Sequence, residues 1–237
     1  MSDDFVEAVA GVGSLADPTR RALYLYVVAQ PGPVGREAAA EALGVAVHTA
    51  KFHLDRLVAD GLLEAEFRRL SGRTGPGAGR PAKLYRRAGR QLTVSLPERH
   101  YELVGHVLAA GLERAAAGSE PLDAAVREAA ESEGRRIADE APTSGGSELD
   151  ELDELDRVAS VLSDRGYEPR RSPDHLALAN CPFDELARQH TALVCGINQS
   201  LVHGVLDGLG CTHVESCLDP EPGLCCVKVR ATSPSEA

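Results

Sequence analysis

The sequence predicts an α+β fold in three regions, and three observations lead to this prediction. Helical periods followed by two basic, strand-like segments occupy residues 1–95. Apolar residues at helical spacing fill residues 96–165, and residues 166–237 alternate between short strand-like segments and one long amphipathic helix. All six cysteines lie in that last region. We therefore expect three domains with these bounds.

The first region has the element order of a helix-turn-helix. Asp17-Pro18 is a typical helix start, because aspartate caps the first amides and proline suits the first turn. Gly44 ends a short second helix before a longer third one, which would be the recognition helix. Helices are predicted over residues 19–29, 36–43 and 47–60. The third helix carries the apolar residues Phe52, Leu54, Leu57 and Val58.

A basic hairpin is predicted directly after the third helix. Its strands would cover residues 62–69 and 79–86, with a glycine-rich tip over residues 71–79. Such a hairpin is a wing, whose cations reach the DNA backbone or the minor groove. We therefore predict a winged helix-turn-helix. The cations between residues 68 and 90, a stretch without an acid, are Arg68, Arg69, Arg73, Arg80, Lys83, Arg86, Arg87 and Arg90.

The candidate DNA contacts follow from the way a recognition helix docks. Its N-terminal residues face base edges, and wing cations contact the backbone. His53 lies at the limit of reach, and a packing or capping role for it remains open. Arg56 is expected on a phosphate or an acidic neighbour. The candidate DNA-contacting residues are His48, Thr49, Lys51, His53, Arg56, Arg80 and Lys83.

The charge of the chain is unevenly distributed. Residues 1–95 carry 13 Lys+Arg and 10 Asp+Glu, whereas residues 96–237 carry 12 and 26, so we expect only the first region to meet a polyanion. No apolar run reaches the length of about 18 residues that a membrane helix needs, and the acidic start is unlike a signal peptide. We expect a cytoplasmic protein. Motifs of phosphate-binding loops, serine hydrolases and zinc proteases are missing, so an enzyme is not expected.

The middle region is predicted to mediate pairing. Helices are expected over residues 97–117 and 121–140, and the first carries apolar residues at Tyr101, Val104 and Leu108. Winged-helix regulators usually read two-fold DNA sites as two-fold dimers. We therefore expect a homodimer with the helix over 97–117 at its interface.

The third region predicts a small α+β domain of order β-β-α-β-β. Clustered cysteines in a reducing compartment favour metal binding or redox chemistry, although burial as ordinary apolar residues remains an alternative. No Cys-x-x-Cys pair of the kind found in zinc sites is present, and thiolates far apart in sequence suit iron–sulfur ligation. Strand alternation over 224–231 would turn Cys225 toward the helix that carries Cys195, and Cys226 away from it.

Two stretches of the chain resemble known families. Leu15–Arg21, His48–Leu57 and Gly79–Arg86 resemble the ArsR-like winged-helix regulators of bacteria over residues 13–95. Asn180–Phe183, Leu193–Cys195 and Cys225–Val229 resemble the C-terminal domain of SufR-type repressors, a subgroup of the same regulators.

The second resemblance implies a 4Fe–4S cluster held by three cysteines in a repressor of iron–sulfur assembly genes. The implied ligands are Cys181, Cys195 and Cys225. A fourth ligand could be Cys217, Cys211, a histidine or a small molecule. The expected function is a double-stranded-DNA-binding repressor whose affinity depends on the cluster. The alternative is a regulator that uses a thiol switch or a transition metal instead.

Overall fold

The computed structural model describes residues 3–69, 81–118, 120–141 and 153–232. The chain divides into two compact units, Met1–Val94 and Ser95–Ala237. The first boundary lies close to the expected one. The expected boundary at residue 165 has no counterpart, because the helices before it share a hydrophobic core with the sheet after it.

Within the described residues, the first unit combines four α-helices with a small antiparallel sheet. Its elements are α1 (Asp3–Ser14), α2 (Pro18–Val28), β1 (Val34–Gly35), α3 (Arg36–Leu43), α4 (Val47–Ala59), β2 (Leu63–Arg68) and β3 (Ala82–Arg87). The strand order is β1-β3-β2. The expected wing tip, with Arg73 and Arg80, lies outside the described residues.

Local signals explain where these helices begin and end. The Asp17 carboxylate accepts a hydrogen bond from the backbone N–H of Arg20 at 2.7 Å, which caps α2. Gly44 adopts a left-handed conformation with φ of 63°, which ends α3 and opens the turn to α4. Leu54 and Leu57 point into the core of this unit, whereas Phe52 points out of it.

In the part of the second unit that the structure describes, five helices pack with a four-stranded antiparallel sheet of order β4-β5-β7-β6. Its helices are α5 (Tyr101–Ala116), α6 (Leu122–Asp139), α7 (Glu154–Ser163), α8 (Asp184–Gln189) and α9 (Thr191–Gly208). Its strands are β4 (Pro169–Arg171), β5 (His175–Leu178), β6 (Val214–Leu218) and β7 (Val227–Ala231). None of the helices in the described ranges is long and apolar enough to cross a membrane.

The last strand starts later than expected. β7 begins at Val227, so Cys225 and Cys226 lie in the connection between β6 and β7, with a bend at Cys226. Strand alternation therefore does not decide where the side chain of Cys226 points. This corrects the expectation that Cys226 faces away from the helix carrying Cys195.

The backbones of α6 and α9 lie in close contact. A Cβ atom added at Gly204 would lie 2.0 Å from the backbone oxygen of Glu131, and one at Gly134 would lie 2.1 Å from that of Leu201. No side chain fits in either place, so glycine is required there by space rather than by backbone conformation. Because α9 also carries Cys195, this contact joins the cysteine region to α6.

We predict that Gly204→Ala destabilises the second unit by about 2 kcal/mol or more, because the added methyl group would force the two helices apart. Chemical denaturation followed by circular dichroism would measure the loss.

Gly196→Ala is the matched control, since nothing lies within 4 Å of a Cβ at that position of the same helix. It should leave stability unchanged or raise it by about 0.5–1 kcal/mol. Equal losses in the two variants would contradict the close contact.

Candidate DNA-binding and cysteine sites

The outer face of α4 is accessible over the first three turns of the helix. His48, Lys51, Phe52 and Arg56 are exposed, and Thr49 is half-buried. The opposite face is anchored by residues that are completely buried among α2, α3 and the sheet: Ala50, Leu54 and Leu57. The turn at Gly44 therefore presents an ordered helix whose outer surface is available to a partner.

Asp55 ties α4 to the hairpin. Its carboxylate accepts hydrogen bonds from Lys83 Nζ at 2.5 Å and from the Tyr85 hydroxyl at 2.8 Å, and Lys51 Nζ lies 3.8 Å away. Partial burial opposes the ionised carboxylate, but the hydrogen bonds from Lys83 and Tyr85 outweigh this and lower the pKa of Asp55. Burial, together with the bond to Asp55, raises the pKa of Tyr85.

Two of the side chains expected to contact DNA lie against other groups of the first unit instead. Lys83 is held by Asp55, so it fixes the hairpin on α4 rather than extending freely from a wing. The His53 side chain is only 12% exposed, and its Nδ1 lies 4.0 Å from Asp17 Oδ1. The packing alternative therefore describes His53 better than a base contact. Arg56 meets its acidic neighbour, with Nε 2.9 Å from Asp60 Oδ2.

Acidic residues outside the basic stretch neutralise part of the hairpin. The ion pairs are Arg68–Glu66 at 2.5 Å, Arg86–Glu64 at 2.9 Å and Arg90–Glu7 at 2.7 Å. Arg69 and Arg87 are exposed and have no acidic partner within the described residues. Strand pairing brings Glu64 and Glu66 of β2 beside the cations. The net positive charge of the hairpin is therefore smaller than the basic residues between 68 and 90 suggest.

In the second unit, the thiols of Cys181 and Cys225 are neighbours. The Cys225 thiol lowers the pKa of Cys181, while the proximity of Cys181, together with burial, raises the pKa of Cys225. Asn198 Nδ2 donates a hydrogen bond to Cys225 Sγ at 3.2 Å, and the Tyr167 hydroxyl donates to Asn198 Oδ1 at 2.5 Å. A buried polar chain therefore orients the Cys225 sulfur.

Cys195 lies beside Cys226, a residue that the strand argument had turned away from it. Burial and the neighbouring Cys226 thiol raise the pKa of Cys195 to about 12, and Cys181 adds to this shift. The four thiols thus form two neighbouring pairs, joined by the peptide bond between Cys225 and Cys226. Cys225 and Cys226 are adjacent in the sequence, and this adjacency was the signal from which Cys226 could have been predicted as part of the cysteine site.

The remaining two cysteines lie elsewhere in the second unit. Cys211 follows α9, and burial raises its pKa to about 11. Cys217 lies on β6, where its register partner is Lys228 on β7.

The two loops that carry cysteines are fixed by charged side chains. Arg99 Nη1 donates to the side-chain oxygen of Asn180 and, at 3.2 Å, to the backbone oxygen of Cys181. In the β6–β7 connection, the Asp219 N–H donates to the Cys226 oxygen at 2.8 Å. Lys228 is only 4% exposed and pairs with Asp219 at 2.8 Å and with Glu221.

Among the residues described, no three His, Cys, Asp or Glu side chains are grouped so that they could hold a metal ion. The thiols of an iron–sulfur cluster bind different iron atoms, so such a site does not require three donors around one ion. The donor atoms that the neighbouring cysteines offer are sulfur atoms, which suit an iron–sulfur cluster rather than a hard metal cation.

Comparison with known families identifies the first unit. Residues 15–66 match a family model described as a helix-turn-helix domain. The match covers α2, β1, α3, α4 and part of β2, and it indicates a DNA-binding transcriptional regulator. Neither the curated proteins nor the solved structures gave a significant match.

We predict that Asp55→Asn lowers the free energy of unfolding of the first unit by about 1 kcal/mol at pH 7, because charge-assisted hydrogen bonds are lost. The pKa of Asp55 in the folded protein is below its usual value of 3.8. Its stabilisation is therefore fully present above pH 3.8 and is lost as the pH falls through the folded pKa.

Denaturation from pH 7 down to pH 3 would show the difference between wild type and variant shrinking in acid. Glu41→Gln, on the exposed side of α3, serves as the control. A difference that stays constant across this range would exclude an ionised Asp55 as its source.

Proposed function

We propose that the chain is a homodimeric transcriptional repressor whose affinity for DNA is set by an iron–sulfur cluster bound in the second unit. The observation that carries the proposal is the convergence of Cys181, Cys195, Cys225 and Cys226, from three separate parts of the chain, in a unit joined to a helix-turn-helix domain. The resemblance to SufR-type repressors supports iron–sulfur assembly genes as the regulated set.

The residues present fit such a cluster. Cys181, Cys195 and Cys225 would supply thiolate ligands, and Cys226 is a fourth thiol at the same place. Asn198 would orient Cys225, since its amide donates to the sulfur, and bonds of this type tune cluster potentials. When bound, the cluster would supply a redox-sensitive link between segments distant in sequence.

The coupling to DNA would pass through the helices of the second unit. Cys195 lies on α9, which contacts α6 at Gly204, and α6 in turn contacts α5, where a Cβ at Gly111 would lie 2.6 Å from Val126 Cγ2. The outer face of α5 exposes Tyr101, Gly105, Ala109 and Leu112. Loss of the cluster would release this packing, and with it the spacing of two DNA-binding domains in a dimer.

The exposed face of α5 is the dimer interface we favour. Tyr101 and Leu112 are 41% and 55% exposed, and the small residues Gly105 and Ala109 between them would let two helices approach closely. Two-fold pairing would place two copies of α4 on successive half-sites of a palindromic operator.

We predict that Leu112→Glu converts the dimer into a monomer, because a carboxylate would be buried at the α5–α5 contact. Sedimentation would show the change of mass, and operator affinity should fall at least tenfold while the circular dichroism spectrum stays the same.

Leu218→Glu, at a residue of similar exposure on β6, is the matched control and should remain dimeric. If Leu112→Glu remains dimeric too, α5 is not the interface.

A thiol switch is the second candidate, and the two neighbouring thiol pairs favour it. Oxidation of Cys195 and Cys226 to a disulfide would release two protons and two electrons to an oxidant such as hydrogen peroxide, which is reduced to water. The two functions differ in their chromophore, since only protein with a cluster absorbs in the visible region.

We predict that Cys181→Ser, Cys195→Ser and Cys225→Ser each abolish the cluster, because a serine oxygen is a poor ligand for iron. Cys226→Ser should lower iron content in part, since its thiol lies at the same site. Iron, acid-labile sulfide, visible absorbance and operator affinity would be measured after anaerobic reconstitution.

Cys211→Ser and Cys217→Ser are the controls and should retain both iron and DNA binding. If the wild type never carries iron, the cluster proposal is wrong, and mass spectrometry after peroxide treatment would test for a Cys195–Cys226 disulfide. DNA binding that does not change with iron content would refute the coupling.

A further inference from the structure

Phe52 has a position that the fold does not explain. The apolar pattern of the sequence groups it with Leu54 and Leu57, but its side chain is 65% exposed while theirs are fully buried. It lies at the centre of the outer face of α4. A large ring held in water on an ordered helix gains nothing from the core, so a partner surface would account for its exposure.

The neighbours of Phe52 indicate the chemistry of that partner. His48 lies one turn before it and Arg56 one turn after it, both exposed, and Lys51 precedes it directly. An apolar ring flanked by Lys51 and by Arg56, which also pairs with Asp60, suits a polyanion that also offers apolar groups. DNA does so in the major groove, where the C5-methyl group of thymine is the apolar feature of the base edges. A protein partner is less suited, because the cations would need acidic groups on every side of the ring.

We propose that Phe52 contacts a thymine methyl group in the major groove and so gives the operator a preference for thymine at one position of each half-site. This inference rests on the DNA-binding role proposed above. Hydrogen bonds from Lys51 and His48 to polar atoms of the bases would not distinguish thymine from deoxyuridine, since the two bases differ only by that methyl group.

The experiment uses the full-length protein and a DNA site selected by the wild type from a random duplex pool. Each thymine of the site is replaced in turn by deoxyuridine, and affinities are measured by fluorescence anisotropy. Wild type should lose about threefold to tenfold at one position of each half-site, as expected for the loss of one methyl contact. Phe52→Ala should bind the thymine and deoxyuridine forms equally, whereas Phe52→Leu should retain part of the difference.

Two variants distinguish a loss of thymine preference from a general weakening of DNA binding. Lys51→Ala should bind both forms less tightly but keep the thymine-to-deoxyuridine ratio of the wild type. Leu25→Ala, which removes a side chain 56% exposed on α2, should change neither affinity nor ratio. Circular dichroism should be the same for all variants, because each substituted side chain is exposed.

The outcomes distinguish this inference from the DNA-binding proposal itself. If the wild type selects no DNA site, the DNA-binding proposal fails and this inference fails with it. If a site is selected but deoxyuridine has no effect at any position, or if Phe52→Ala keeps the wild-type ratio, DNA binding stands and the role of Phe52 is refuted.

Discussion

The second unit depends on the backbone contact between α6 and α9. At Gly134 and Gly204 the two helices approach so closely that no Cβ fits between them. A movement of one helix would therefore either carry the other helix with it or break the contact. One of them carries Cys195, and the other packs on α5 around Gly111. Close-packed interfaces of this kind switch between discrete arrangements rather than deform gradually. In the proposed function, a chemical change at the thiols would by this route reach a helix face that carries no cysteine.

In the first unit, Asp55 has a comparable role. By binding Lys83 and Tyr85 it joins the hairpin to α4, and the side chains on the outer face of α4 are exposed. Two acids of β2 neutralise cations that would otherwise extend from the hairpin. The cationic part of this surface is consequently smaller than the run of arginines and lysines implies, and the exposed ring of Phe52 makes its centre apolar.

The sequence predicted the elements that local signals determine. The cap at Asp17 and the left-handed Gly44 placed α2, α3 and α4 closely, since each signal acts within one turn of the chain, whereas α1 was not predicted. Features that depend on partners distant in the sequence could not be predicted from it. The pairing of Lys83 with Asp55 requires the register between hairpin and helix, and the position of Cys226 requires the start of β7, which differs by three residues from the periodic pattern.

The three proposed ligands lie far apart in the sequence, and this separation is the reason that a shared cluster would stabilise the second unit. Cys181 follows β5, Cys195 lies on α9 and Cys225 precedes β7, so shared ligation would link three segments that are far apart in sequence. A link across long segments removes more freedom from the chain than a local one does, and binding of a metal group adds directly to folding free energy. Without it, the loops keep the hydrogen bonds of Arg99 and the ion pairs of Lys228. The cluster would thus act on the order of the whole second unit, because its ligands span the sheet and the helix that contacts α6.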